Sequence, residues 1–308
     1  MSTNELIKVC FAFDNNYIDQ AIVTIGSLLS HTKSEIGLFI LDFGITVEKK
    51  HKLKNIFQQY KNAHISFVNC EHRFSNFHER GYLTRAMYGR FLIPELFPNE
   101  KKIIYSDVDV MFKDDIKRLF AMDLKGKTLA ACPEIFDNIN GCNVKKSERL
   151  GLENPSAYFS SGLLVIDCTL WNKREISKKL EYLYEKKKEV LVCPDQDLLN
   201  MAFHKDYATI DNKWCVVNQL VEDYQTQHNF LPLYILNREV GIRHFNGKNK
   251  PWLRLPRLVE SHSQLGTREY WRYLYKFSLI KELPLFNSLC FKDKVKVHVL
   301  IALSHLID

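Results

Sequence analysis

The first seventy residues alternate between short apolar runs and longer amphipathic stretches. Leu6–Phe13, Ile36–Leu41 and Ile65–Val68 are apolar runs with the length and composition of buried strands. Between them, Ile18–Ser30 and Val47–Tyr60 place apolar residues at the three- and four-residue spacing of one helix face. This β-α-β-α-β order predicts an α/β domain with a mostly parallel sheet and helices on both of its faces.

The same alternation continues through the middle of the chain. It predicts strands at Lys101–Tyr105, Thr128–Cys132 and Gly162–Ile166, and helices at Tyr82–Phe97, Trp171–Lys188 and Asp195–Phe203. Two prolines, at positions 251 and 256, precede a change in composition near Leu255. We therefore predict an α/β domain over residues 1–254 and a basic, aromatic-rich helical segment over residues 255–308.

The net charge of +7 is concentrated at the carboxyl end of the chain. Gly241–Asp308 contains twelve Lys and Arg against five Asp and Glu, so this region carries the whole excess. Its aromatic and basic residues alternate, which suits an anionic membrane surface. The alternative is an amphipathic helix packed on the larger domain. No glycine-rich or base-stacking motif accompanies the charge, so we predict no nucleic-acid partner.

The amino-terminal segment and the cysteines bear on the compartment of the protein. No apolar run approaches the roughly 18–20 residues that cross a bilayer. Met1–Glu5 lacks the layout of a secretory signal, which predicts that the mature protein begins here. The eight cysteines form no Cys-x-x-Cys pair and indicate buried thiols in a reducing cytoplasm.

Two carboxylates follow the strand predicted at Lys101–Tyr105. Asp107 and Asp109 are two residues apart, so in an extended chain they point to the same side. Ligands gather at the carboxyl ends of strands in open α/β sheets, and carboxylates suit Mg²⁺ or Mn²⁺, which also bind diphosphates. An isolated pair of this kind is also consistent with a solvated strand end.

A second polar cluster spans His244–Trp252, with the sequence H-F-N-G-K-N-K-P-W. Its histidine could supply a metal ligand, and its glycine permits close approach of the backbone to a ligand. Its lysines could neutralise a phosphate. Such a histidine alone is more often an ordinary surface residue, but together with the paired aspartates it indicates a site for a metal and a phosphate.

Five motifs in this order resemble those of glycosyltransferase family 8. They are a uridine-binding start at Phe11–Tyr17, the metal motif at Ile104–Asp109, sugar-binding loops at Tyr158–Gly162 and Asp195–Asn200, and the H-x-x-G-x-x-K-P-W motif at His244–Trp252. The resemblance extends over about four-fifths of the chain. It implies a GT-A fold, a UDP-hexose donor, Mn²⁺ (or Mg²⁺) and retention of the anomeric configuration.

The resemblance also implies a role for each matching residue. Uracil and ribose would contact Ala12, Asp14, Asn16 and Tyr17; the metal would be held by Asp107, Asp109 and His244; the diphosphate would bind Gly247 and Lys250; Arg90 would lie near the donor sugar or phosphate; and the hexose would be surrounded by Ser160, Ser161, Asp195, Gln196 and Asp197.

Two departures from the family pattern concern the donor sugar. Relatives often have Asn-Ala or Asn-Ser where this chain has Ser160-Ser161, and Glu134 stands where an Asp is expected to face the sugar. A longer carboxylate and a smaller polar loop could change the preference among glucose, galactose and an N-acetylhexosamine.

Retention requires either two displacements or attack from the face that UDP leaves. Gln196 occupies the family position behind the anomeric carbon and is a poor nucleophile, which favours same-face attack. Asp195 would then orient the donor hydroxyls, and Asp197 could stabilise positive charge on the sugar. The metal and Lys250 would stabilise the charge that grows on the departing phosphate.

These features together predict a retaining, metal-dependent hexosyltransferase. Its acceptor would be a glycan or lipid-linked glycan in lipopolysaccharide, O-antigen or other surface glycan synthesis, at the cytoplasmic face of the inner membrane. One alternative is a sugar-nucleotide-binding protein without transfer. Another is a haloacid-dehalogenase-like phosphatase, which usually carries its paired aspartates near the amino terminus and a Thr or Val where this chain has Met111.

Overall fold

The computed structural model describes residues 6–79, 81, 83–134, 146–153, 157–218, 240–247, 250–261 and 264–303. The chain forms two compact units, each assembled from separate segments. The first unit comprises Met1–Ile18, Lys33–Val108 and Ile116–Trp214, and the second comprises Asp19–Thr32, Asp109–Asp115 and Cys215–Asp308. The predicted division at residues 254 and 255 stays a prediction.

The described residues contain two sheets. The strands are β1 (Ile7–Phe13), β2 (Ile36–Asp42), β3 (Ala63–Asn69), β4 (Ile103–Ser106), β5 (Val110–Phe112), β6 (Leu129–Pro133), β7 (Phe159–Ile166), β8 (Ala208–Thr209), β9 (Val216–Val217) and β10 (Ile242–His244). The first unit holds a seven-stranded sheet in the order β3-β2-β1-β4-β7-β6-β8. The second unit holds a three-stranded sheet in the order β5-β10-β9.

The larger sheet is mostly parallel, as the hydrophobic pattern predicts. The adjacent strands β3, β2, β1 and β4 run parallel to one another, and β8 is parallel to β6. Only β7, among the described strands of this sheet, runs the other way, antiparallel to both β4 and β6. The apolar run at Gly162–Ile166 could not reveal this reversal, because a strand buried on both faces is apolar in either direction.

The helices confirm most of the predicted elements, with boundaries shifted by a few residues. They are α1 (Ile18–His31), α2 (Val47–Phe57), α3 (Ile93–Leu96), α4 (Lys117–Phe120), α5 (Lys146–Leu150), α6 (Cys168–Lys173), α7 (Ile176–Lys187), α8 (Pro194–Phe203), α9 (Thr267–Lys276), α10 (Pro284–Asn287) and α11 (Phe291–Leu303). None of the described helices has the length and apolar character needed to span a membrane.

Two helix predictions were wrong in form. The single helix predicted at Tyr82–Phe97 is a 3-10 helix at Arg85–Leu92 followed by α3, and Tyr82 lies outside the described residues. The single helix predicted at Trp171–Lys188 is divided into α6 and α7 by Glu175, whose φ of 52° is left-handed and cannot continue a helix. Charged residues on both sides of this break hide it from the hydrophobic pattern.

The direction of the strands brings predicted site residues of the first unit to one edge of the larger sheet. β1, β2 and β4 are parallel, with Phe13 opposite Asp42 and Cys10 opposite Tyr105, so their carboxyl ends lie at the same edge. β7 is antiparallel to β4, so the edge where β4 ends is the edge where β7 begins, near Ser161. Ligands collect at such an edge in open α/β sheets.

A glycine lets the 3-10 helix at Arg85–Leu92 approach β1 closely. A Cβ atom at Gly89 would lie 2.5 Å from the Cβ of Ala12 and 3.0 Å from the ring of Phe43. Real Cβ atoms do not approach other carbon atoms this closely, so only glycine fits here. This close approach also places the next residue, Arg90, in the interior of the unit.

The second unit packs the carboxyl-terminal helices against α1. The Tyr270 and Trp271 side chains of α9 are fully buried. A Cβ atom at Gly26 of α1 would lie 2.1 Å from the ring of Phe277, which directly follows α9. Side chains of α9, which follows Leu255 in the chain, therefore form part of the core of this unit.

We expect Gly89→Ala to destabilise the protein by about 1–3 kcal/mol, because the added methyl group overlaps the fixed Cβ of Ala12. The measurement is the free energy of unfolding in urea. Gly37→Ala is the comparison, since its Cβ would lie 3.0 Å from the rotatable ring of Phe39 and should cost less. Equal stability of Gly89→Ala and wild type would contradict the close helix–strand contact.

Candidate active site

Arg90 is a buried cation at the centre of the site residues of the first unit. Its Nη2 donates to Oδ1 of Asp107 at 2.8 Å, and its Nη1 lies 3.0 Å from Oδ2 of Asp195. The same guanidinium donates to the carbonyl of Ser161 and, at 2.9 Å, to the carbonyl of Met87. Burial alone would lower the pKa of Arg90, but the two carboxylates raise it, so the guanidinium stays charged.

The Asp107 carboxylate is oriented by two neighbours and is partly exposed. Its Oδ1 accepts hydrogen bonds from Arg90 and, at 2.8 Å, from the Tyr105 hydroxyl. The guanidinium of Arg90 also lies 4.4 Å from the centre of the Tyr105 ring. Burial raises the pKa of Tyr105 well above its usual value, so the hydroxyl remains a donor. These contacts fix one oxygen of a carboxylate that is 25% exposed.

Three residues of the two predicted sugar-binding loops are hydrogen-bonded to one another. The Ser161 hydroxyl donates to Oδ2 of Asp195 at 2.9 Å, and the Ser161 amide donates to Oε1 of Gln196 at 3.0 Å. Nε2 of Gln196 donates to Oε2 of Glu134 at 2.9 Å. The amide of Gln196 therefore has a defined orientation, with its oxygen toward the β7 backbone. Burial raises the pKa of Asp195, and Arg90 opposes this shift.

Asp197 has no exposed side-chain surface and is surrounded by protein donors. Arg149 donates to its two oxygens at 2.7 and 3.1 Å, and the Tyr158 hydroxyl donates to Oδ1 at 2.7 Å. The backbone amides of Val192 and Cys193 donate to Oδ2 at 2.8 and 3.1 Å. Five donors therefore serve one carboxylate, which ties α5 to the start of α8.

Glu134 is held by a lysine that sequence reasoning missed. Nζ of Lys146 lies 3.0 Å from Oε2 of Glu134 and 4.2 Å from the centre of the Tyr158 ring. Lys146 and Arg149 are both in the short helix α5, outside every motif of the sequence analysis. Their spacing of three residues places them on one helix face, but one such pair in a charged sequence is too weak a signal to predict a site.

The residues expected to bind uridine lie where β1 ends. Oδ1 of Asp14 accepts a hydrogen bond from the Asn16 amide at 2.8 Å and caps a 3-10 turn over Asn15–Tyr17. Ala12 is buried against the helix that carries Gly89 and Arg90. The structure therefore places Ala12, Asp14, Asn16 and Tyr17 at the predicted sheet edge.

In the second unit, Asp109 contacts both His244 and Lys250. Nε2 of His244 lies 3.1 Å from Oδ1 of Asp109, and Nζ of Lys250 donates to Oδ2 of Asp109 at 2.5 Å. The antiparallel pairing of β5 with β10 sets this arrangement, because it places His244 opposite Val110 and lets the Phe245 amide donate to the Asp109 carbonyl at 2.9 Å. All three charged side chains are largely buried.

The charges of this cluster stabilise one another. Burial alone would raise the pKa of Asp109, but Lys250 and His244 lower it. Burial alone would lower the pKa of His244, but the Asp109 carboxylate raises it well above its usual value. Asp109 is therefore ionised in the folded protein.

The backbone at Gly247 has a left-handed conformation. Its φ is 73°, a conformation that glycine adopts without strain. The amide of Gly247 donates a local hydrogen bond to Oδ1 of Asn246 at 2.7 Å. Nζ of Lys250 also donates to the carbonyl of Phe245 at 2.8 Å.

Among the described residues, Asp107, Asp109 and His244 form a group that could hold a metal ion. Asp109 and His244 are in direct contact, and the chain places Asp107 two residues before Asp109. Two carboxylates and one imidazole suit a divalent ion such as Mn²⁺ or Mg²⁺. The residues present therefore fit the ion that the resemblance implies.

We expect Arg149→Met to cost about 3–5 kcal/mol of stability, because it leaves the buried Asp197 carboxylate without its counter-ion. Chemical denaturation would measure the loss. Arg73→Met is the matched control, since Arg73 pairs with the exposed Glu95 and should change stability by about 0–1 kcal/mol. Adding Asp197→Asn to Arg149→Met should restore part of the loss. If both single Arg variants had similar stability, the ion pair would not anchor α5 to α8.

The amino-acid sequence matches the family model described as Glycosyl transferase family 8 over residues 8–255. General stress protein A of Bacillus subtilis is 27% identical over 262 residues, covering 82% of this chain and 89% of that protein. Lipopolysaccharide 1,2-glucosyltransferase of Escherichia coli is 22% identical over 304 residues, covering 97% of this chain and 84% of that protein.

The fold is also similar to that of solved glycosyltransferases. A crystal structure of the galactosyltransferase LgtC in complex with donor and acceptor sugar analogues matches with a TM-score of 0.72 at 23% identity, covering 88% of this chain and 96% of that chain. This likeness, with the largely parallel sheet, confirms the predicted GT-A fold. Since the family model covers most of its length, the chain belongs to glycosyl transferase family 8 and is a glycosyltransferase.

Proposed function

We propose that this glycosyltransferase moves a hexose from a UDP-hexose to a glycan acceptor with retention of the anomeric configuration. The observation that carries the proposal is the buried contact of Asp109 with both His244 and Lys250. It combines metal-ligating side chains with a cation in the motif that the family resemblance assigns to the metal and the diphosphate. A generic phosphatase would not need this second motif.

Asp107, Asp109 and His244 would hold a divalent ion, which we propose to be Mn²⁺. When bound, such an ion stabilises the negative charge of the departing diphosphate. Lys250 supports the same charge through its ammonium group, which is held within 2.8 Å of the Phe245 carbonyl. Gly247 has no side chain and a left-handed backbone, so its main chain can approach phosphate oxygens closely.

The nucleotide would bind at the end of β1. Ala12 lies near the end of β1, and Asp14 follows the strand with a carboxylate. Asn16 and Tyr17 follow in a single turn that Asp14 caps. The position agrees with the general location of ligands in open α/β sheets.

The donor hexose would lie near Ser160, Ser161, Asp195 and Gln196. Asp195 is paired with Arg90 and accepts from Ser161, so its carboxylate is oriented before any sugar binds. We propose that Asp195 orients the donor hydroxyls and that Arg90 positions Asp107 and Asp195 together. Asp197 has no exposed surface, so we assign it a positioning role through Arg149 and Tyr158.

The geometry of the carboxylates supports attack on the same face that UDP leaves. A double displacement needs a nucleophilic carboxylate next to the anomeric carbon. Asp197 is fully buried, Asp195 is paired with Arg90 and Ser161, and Gln196 carries an amide. Proton transfer from the acceptor hydroxyl to the departing phosphate then completes the reaction without a protein nucleophile.

The choice of donor sugar depends on residues around Glu134. Glu134 is paired with Lys146 and accepts from Gln196, so its carboxylate is held at the sugar-binding loops. We propose glucose or galactose as the donor hexose. The relative in Escherichia coli is a lipopolysaccharide 1,2-glucosyltransferase, which supports a lipid-linked glycan of the cell surface as the acceptor.

We further propose that α11 contacts an anionic membrane at the cytoplasmic face. Phe291, Val295, Val299 and Leu303 recur every fourth residue along this helix, and all four are exposed. Lys292, Lys294 and Lys296 lie among them, so apolar and cationic groups occur together. This combination is typical of helices that rest in the headgroup region of anionic bilayers.

Release of UDP from a panel of UDP-hexoses in the presence of Mn²⁺ tests the transferase function. We expect slow hydrolysis of one donor, which is abolished by a chelator and reduced about a hundredfold or more in Asp109→Ala, equivalent to about 3 kcal/mol of lost transition-state stabilisation. Asp123→Ala, which removes an exposed carboxylate, should behave as wild type. Binding of UDP-hexose without turnover on any acceptor would favour the binding-protein alternative.

Sedimentation with vesicles tests the membrane contact. We expect the protein to bind vesicles that contain anionic phospholipid and to bind neutral vesicles weakly. Phe291→Ser combined with Val295→Ser should reduce binding severalfold, because both remove exposed apolar surface from α11. Val47→Ser is the control, since Val47 is 69% exposed on α2, outside this helix. Equal binding of all variants would contradict the proposed contact.

A further inference from the structure

A cysteine lies beside the histidine of the candidate metal group. Sγ of Cys215 is 3.9 Å from Nδ1 of His244, and both side chains are buried. The parallel pairing of β9 with β10 places Val217 opposite His244, so Cys215, just before β9, is brought next to the histidine ring. Cys215 belongs to no motif of the sequence analysis.

The two nitrogens of the His244 ring face different partners. Nε2 faces Asp109 at 3.1 Å, whereas Nδ1 faces the sulfur of Cys215. A neutral imidazole that offers Nε2 to a metal must carry its proton on Nδ1. Metal-ligating histidines commonly donate this second N–H to an acceptor that fixes the tautomer and the orientation of the ring.

We propose that Cys215 is the positioning residue of His244. Its sulfur accepts the Nδ1 hydrogen and keeps Nε2 directed toward Asp109 and the ion. The inference rests on the proposed metal-dependent function and adds to it a residue that touches neither the ion nor the substrate. Sulfur is a weak acceptor, so its hydrogen bond to Nδ1 is weaker than that of the carboxylate or carbonyl that usually accepts this hydrogen.

The backbone around His244 does not depend on the thiol. β10 is paired with β5 and β9, and the Phe245 amide donates to the Asp109 carbonyl at 2.9 Å. Loss of the thiol should therefore loosen the ring rather than unfold the strand. Metal affinity and thermal stability are accordingly separable measurements.

The test is a titration with Mn²⁺ in the presence of saturating UDP. Electron paramagnetic resonance measures how much of the Mn²⁺ is bound. We expect Cys215→Ala to raise the dissociation constant for Mn²⁺ about 10–100-fold, the usual effect of removing an outer-shell partner. Cys215→Val fills the volume of the thiol without an acceptor, and this variant should bind Mn²⁺ as weakly as Cys215→Ala does. Cys215→Ser keeps an acceptor and should lose less affinity for Mn²⁺. UDP release by Cys215→Ala should approach the wild-type rate at high Mn²⁺ concentration.

Cys168→Ala is the matched control, because Cys168 is a fully buried thiol at the start of α6. Cys168 follows the end of β7, where the last residue of β7 pairs with the first residue of β4. Asp107 follows the other end of β4, so Cys168 lies at the opposite edge of the sheet. This variant should lose thermal stability without losing affinity for Mn²⁺.

Wild-type affinity for Mn²⁺ in both Cys215→Ala and Cys215→Val would overturn the inference and leave Cys215 as a packing residue. If Cys215→Ala fails to fold, the Val variant decides. If the wild-type protein itself binds no Mn²⁺ with UDP present, the metal-dependent function fails, and the inference fails with it. The two failures are thus distinguished by the wild-type titration alone.

Discussion

The buried guanidinium of Arg90 is the charge around which the first unit is organised. A cation removed from water costs several kcal/mol unless carboxylates and carbonyls replace its hydration. Asp107 after β4, Asp195 in α8 and the Ser161 carbonyl in β7 provide that replacement. Three elements distant in sequence must therefore meet at one point. Gly89 makes the meeting possible by letting the preceding backbone lie against β1.

The charged groups at this point and in the second unit are oriented before any ligand binds. Asp197 and Arg149 hold α5 against α8, and the Gln196 amide is directed by partners on both sides. In the second unit, strand pairing brings His244 to Asp109. Such preorganisation matters for sugar transfer, because charge that develops during the reaction is then met by dipoles that need not reorganise.

Much of the fold and the candidate site could be read from local patterns. The alternation of apolar runs and amphipathic stretches fixed the strand and helix order, since burial dictates those periods. The break at Glu175 could not be predicted, because a left-handed residue between two charged helical stretches leaves the hydrophobic periodicity intact. Lys146 and Cys215 could not be predicted, because each contacts a residue that is remote in sequence, Glu134 and His244 respectively.

The α/β class, the paired aspartates after a buried strand and the family to which the motifs point can all be inferred from the amino-acid sequence. These features depend on periodicity and on residues close together in the chain. The reversed direction of β7, the enclosure of Asp197 by five donors and the contact of Cys215 with His244 become evident only in the folded chain. Each of these depends on which strands and helices become neighbours, and side-chain pairing between distant segments leaves no periodic trace in one sequence.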